Sequence, residues 1–128
     1  MNPRLRRRRG VTLALVVMVM AVVGGMLTLL ATCAAQRYRD RQAERVRLVA
    51  RALADSAAAY ARTQLDTWSH TPPDEPVRLD VKALLPPEMT GSATVAVVTI
   101  DKRRLCRVST RVSRGAYAAT DEIHLDMR

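Results

Sequence analysis

The chain has 128 residues, room for one small domain, and its hydrophobic 48% includes no Phe and a single Trp, so Val, Ala and Leu must do the burying. So few aromatics argue against the stacking platforms that hold single-stranded nucleic acid. The formal charge of +9 does not argue for nucleic acid either: Arg4 and Arg6 to Arg9 all precede an apolar run and leave a surplus of four for the rest. Basic residues beside such a run set membrane orientation.

Residues 1–10 form a short basic leader ending in Gly10. From Val11 to Ala35 no charged residue occurs. A helix over those residues covers roughly 37 Å, more than the ~30 Å hydrocarbon core of a bilayer. A secretory signal would have an apolar region of only ~7–15 residues, about half this length. The segment is therefore expected to be a transmembrane helix. Gly24-Gly25 lowers its helix propensity and permits close helix packing. Arginines also follow the run, from Arg37 to Arg51, so charge alone does not orient it. Long C-terminal segments translocate largely regardless of charge, which favours an N-terminus in the cytoplasm.

Residues 36–68 continue without Gly or Pro and are rich in Ala, Arg, Leu and Gln, all strong helix formers. Val46, Val49, Leu53, Ala57, Tyr60, Ala61, Gln64 and Trp68 recur at spacings of three and four and draw a mostly apolar stripe. The simplest reading is one continuous helix from about Val11 to Trp68, its second half packed against the chain's own C-terminal part. "SHTPPDEP", residues 69–76, is a proline-rich linker that cannot continue it.

From residue 77 to 128 the period changes to two. Val77, Leu79 and Val81 alternate with Arg78, Asp80 and Lys82, as in a half-buried strand. "SATVAVVTID" is apolar on both faces and suits a central strand; "RLCRVSTRVS" sets Cys106, Val108 and Val112 against Arg107, Ser109 and Arg111. "DEIHLDM" sets Ile123, Leu125 and Met127 against Glu122, His124 and Asp126, with turns expected over Asp101–Arg103 and Ser113–Ala119. The fold class expected is α+β: a long helix packed on a small antiparallel sheet of three to four strands, since such a sheet is marginal alone.

Little in the chain suggests catalysis. His70 falls in the linker and His124 on a polar strand face, neither in a ligand-spaced cluster, so no metal is expected. No glycine-rich phosphate loop and no nucleophile with a base can be assembled, which predicts a non-enzyme without cofactor or small-molecule substrate. Cys33 and Cys106 read as two small buried hydrophobes rather than a disulfide. Arg103, Arg104, Arg107, Arg111 and Arg114 read as a basic cluster on an exposed sheet face. Such a cluster is either a solvated face or a patch that meets acidic partners.

The basic leader ending in glycine, the apolar helix that runs on into an amphipathic one and the small sheet together resemble the type IV pilin-like superfamily, and best its minor pilins and type II secretion pseudopilins. Arg9-Gly10-Val11-Thr12-Leu13 is similar to the site that prepilin peptidase cuts and N-methylates, which implies Gly10 as the last leader residue and Val11 as the new N-terminus. "RLVARALADSAAAYAR", Arg47 to Arg62, is similar to a helix of several minor pilins. Major pilins have Glu as the fifth residue after the cut, where this chain has Leu15. That departure points to a minor or initiating subunit.

The resemblance implies a single-pass protein of the bacterial inner membrane with its C-terminal region periplasmic. Its partners would be membrane lipid, other pilin-like subunits and prepilin peptidase, with nucleic acid not expected. The alternative is a single-pass envelope protein whose basic sheet face binds an acidic partner or nucleic acid.

Overall fold

The computed structural model describes residues 3–127, with side chains from Val11 to Met127. The leader arginines and Gly10, the expected cleavage position, lie outside the residues whose side chains are described. The elements are a helix α1, Pro3–His70, then β1, Val77–Leu79, a 3-10 turn at Lys82–Leu84, β2, Thr90–Ile100, β3, Arg103–Arg114, and β4, Tyr117–Asp126. The chain divides into two compact units, Met1–Asp40 and Arg41–Arg128, which share α1.

In the second unit the helix packs on a four-stranded antiparallel sheet of order β1-β2-β3-β4, so the fold is α+β. The helix persists because no Gly or Pro lies between Gly25 and Pro72. At its end Thr71 still donates its N–H to Thr67 O at 2.9 Å, and Pro72-Pro73 can donate nothing further. The buried helix face consists of Val46, Ala50, Leu53, Ala54, Ala57, Ala58, Ala61 and Trp68. All of these but Ala54 join Ala93 and Val95 of β2 and Cys106, Val108 and Val112 of β3 in one core, with Val81 and Met89 closing it from the connection.

This face is narrower in side-chain volume than the expected stripe. Tyr60 is 42% exposed and sets its ring edge-on to Trp68, with centroids 6.5 Å apart, while Gln64 is half-buried. Ala50, Ala54 and Ala58 take their place. Small residues let the helix lie close to the sheet, which suits a core of Val and Cys with no Phe to fill a wider gap.

The strand boundaries also differ from expectation in two places. The first strand ends at Leu79, because the Asp80 carboxylate accepts the N–H of Lys82 at 3.1 Å and bends the chain into the 3-10 turn. Val81 is buried from that bend. The segment Ser113–Ala119 is mostly strand, with only Gly115 and Ala116 in the turn, since Val112, Tyr117 and Ala119 keep the inward alternation going.

Both hairpin turns have two residues, as the handedness of twisted strands favours. Asp101 and Lys102 both have positive φ, 50° and 68°, the pattern of a type I′ turn, and Gly115 at 57° supplies the one positive φ of the other. Gly91, paired with Val112, answers a different demand: a Cβ there would lie 2.9 Å from both Arg111 O and Leu85 Cδ1.

Candidate functional site

The two units each present one surface built by the sequence patterns above. In the first, every residue from Val11 to Ala35 is exposed, and the helix is long and apolar enough to cross a membrane. Two of its hydroxyls bond back to the helix itself. Thr28 Oγ1 donates to Gly24 O at 2.6 Å and Thr32 Oγ1 to Leu29 O at 2.9 Å. A hydroxyl bonded back to its own helix costs little in hydrocarbon, where an unsatisfied one costs several kcal/mol.

Ala14, Ala21, Gly25, Thr28 and Thr32 follow one another at intervals of seven, four, three and four and so fall on one side of this helix. Nothing lies within 4 Å of a Cβ built on Gly24 or Gly25. Met18 lies on the same side between Ala14 and Ala21, so it is from Ala21 to Thr32 that a second helix can approach closely, the geometry by which membrane helices associate. The spacing is visible in the sequence once the helix is fixed, yet only Ala14, Ala21 and the two glycines stand out there.

In the second unit the arginines of β3 are sorted by strand alternation. Arg103, Arg107 and Arg111 lie on the face turned away from the helix, whereas Arg104 and Arg114 share parity with Cys106, Val108 and Val112 on the helix side. The basic cluster expected on one face is therefore divided. Arg114 is engaged by the Glu88 carboxylate and donates to Gln42 Oε1 at 2.5 Å, tying the end of β3 to the connection and to the helix. On the outer face Arg107 Nε meets Glu122 Oε1 at 2.7 Å, and His124 Nε2 lies 2.9 Å from the same oxygen. All three side chains are nearly half exposed, so the cluster adds little stability. It does occupy one of the three guanidinium groups of β3 that lie on the outer face.

Two buried groups stand between the faces. Thr110 Oγ1 lies 3.3 Å from Ala50 O and 3.4 Å from Asp121 O, joining β3 to the helix and to β4. Cys106 is wholly buried and Cys33 exposed, both as free thiols. Burial pushes the Cys106 thiol above its ordinary value of 9.0. Among the described residues no group of three His, Cys, Asp or Glu side chains could hold a metal ion. His70, at the helix end, is exposed and well outside the outer-face cluster in sequence.

Compared with protein-family models, with curated proteins and with solved structures, the chain has no match in any of the three.

Proposed function

We propose that the chain is a minor pilin- or pseudopilin-like subunit, anchored in the bacterial inner membrane and built into a pilus-like or type II secretion-associated assembly. One observation supports this above the others. A single helix carries an entirely exposed apolar segment from Val11 to Ala35 and, further on, the Ala-rich face buried under an antiparallel sheet. That division of one helix into a lipid-compatible half and a sheet-bearing half is what a subunit stored in a membrane and later packed by its helix requires.

In lipid the Val11–Ala35 surface lies against acyl chains. In the assembly the same surface lies against equivalent helices, and the side bearing Ala21, Gly25, Thr28 and Thr32 is where backbones approach. The exchange is nearly neutral in hydrophobic terms, because lipid tails are as apolar as Leu. Packing and helix geometry then decide it. The role is structural, and no residue is assigned a catalytic part. Leu15, in place of the glutamate that pairs with a neighbour's N-terminal amine in major pilins, fits an initiating or minor position rather than the repeating one.

Mass spectrometry of the full protein from cells with an active prepilin peptidase tests the proposal. The mature chain is expected to lack residues 1–10 and to begin with N-methylated Val11, and Gly10→Val is expected to keep its leader. An intact leader on the unaltered protein in such cells overturns it.

A further inference from the structure

The two edges of the sheet are not alike. β1 is three residues long, follows Pro76 and turns at once into the 3-10 segment, which leaves little backbone to pair. β4 runs for ten residues in unbroken register with β3, contains neither Pro nor Gly, and pairs with nothing on its other side among the described residues. Met127 donates its N–H to Arg104 O at 3.3 Å, so the odd-numbered positions of this strand face β3. The even-numbered Ala118, Thr120, Glu122, His124 and Asp126 accordingly turn their N–H and C=O groups outward. Glu122 shows this directly, since its N–H is taken by the Asp121 carboxylate at 2.9 Å rather than by β3.

We propose that this edge pairs antiparallel with β4 of a second copy of the chain, about a two-fold axis at Ile123. The argument for that occupant is self-complementarity. With Ile123 opposite itself, Glu122 falls opposite the second copy's His124, and Thr120 opposite its Asp126. All four are outward-turned positions, so each such pair exchanges two backbone hydrogen bonds, and the acid–imidazole contact already made within one copy is duplicated across the axis. On the helix side Ala119 meets Met127, a small residue against a long one. Moving the axis by one position places Glu122 opposite Glu122 or Glu122 opposite Asp126; like charges directly opposite are destabilising, so the register is selected.

Asp121 is the one residue opposite an unlike neighbour, Leu125. It gives up the Glu122 N–H to the incoming carbonyl, and it lines one open hollow with Arg47 and Arg51, which can receive its carboxylate. Pairing along one strand is modest in area. Anchoring in a common membrane raises the local concentration that it needs.

The inference does not rest on the leader being cleaved, and its test uses the full chain in membranes. With Cys33→Ser removing the exposed thiol, Ile123→Cys places two thiols at a non-hydrogen-bonded pair, where Cα atoms about 4.5 Å apart fall within disulfide range. Mild oxidation is expected to give a covalent dimer from Ile123→Cys and none from Ala119→Cys, which faces Met127. Because Ile123 contributes to packing, a second pair on exposed positions guards against misfolding: Thr120→Cys and Asp126→Cys chains expressed together are expected to cross-link with each other, and neither alone. Equal dimer at positions 119 and 123, loss of the dimer from both pairs, or capture of a different protein alone overturns the proposal.

Discussion

At the scale of single residues, backbone conformation and hydrogen bonding leave definite marks. Lys102 holds a positive φ of 68° in the type I′ turn, where a side chain crowds the backbone and glycine does not. Lys102→Gly is expected to stabilise the second unit by about 1 kcal/mol. Denaturant unfolding of the full chain in detergent, read from the single Trp68, measures the shift in midpoint. The residue scale is also where the sequence is least sufficient. Arg104 and Arg107 look alike in a basic run, and it takes the strand alternation anchored on buried Cys106 to assign them to opposite faces. The Arg107–Glu122–His124 cluster depends in addition on β4 lying beside β3, which periodicity within one strand does not contain.

At the scale of elements, the helix–sheet contact rests on small residues. Ala54 and Ala61 have no exposed surface, whereas Ala59 on the same helix is exposed. Ala54→Leu must push the helix off the sheet or force poor rotamers, a cost of typically 1–3 kcal/mol, while Ala59→Leu is expected to leave stability within about 0.5 kcal/mol. The same unfolding measurement distinguishes them, and equal effects would contradict the packing described. Most of the element pattern was legible in advance. Val46, Leu53, Ala57, Ala61 and Trp68 were readable from their helical spacing, β2 from a run apolar on both faces and β3 from its alternation. Tyr60 was not, because a large apolar ring at the right spacing can still turn outward when its neighbours Ala57 and Ala61 already fill the interface. The true turn at Gly115-Ala116 was obscured because Ser113, Arg114 and Gly115 carry turn-like chemistry, although Val112, Tyr117 and Ala119 keep the strand period around it.

At the scale of the whole molecule, the two proposed contacts differ in symmetry. Helices packed side by side in a filament repeat without closing, whereas a two-fold pair along β4 is complete with two copies. They use different surfaces, the Ala21–Thr32 side of the apolar segment and the free edge of the sheet, so one does not require the other. Cross-linking through position 123 in a leader-retaining Gly10→Val chain separates them, since the pair is expected to form whether or not the helix is released for assembly. The α+β architecture was readable because helix and strand periods succeed one another with a proline break between them. The surface that selects a partner was not, because an unpaired edge exists only once the strand order is known.

Cys106 gives the molecule a built-in clock. It sits in β3, between β2 and β4 and beneath the helix, with no surface open to solvent, so a thiol reagent reaches it only when those strands part. In a Cys33→Ser chain every labelling event therefore counts one opening, and at high reagent concentration the rate becomes the opening rate itself. Proton linkage gives the same residue a second reading. The folded thiol holds its proton above the ordinary value of 9.0, so an unfolded chain ionises first as the medium turns alkaline. That contribution is intact below 9.0 and is lost as pH climbs from there through the raised folded value. Cys106→Ala is expected to be less stable near neutrality and to show a shallower alkaline decline, so the gap between the two chains should narrow above that point.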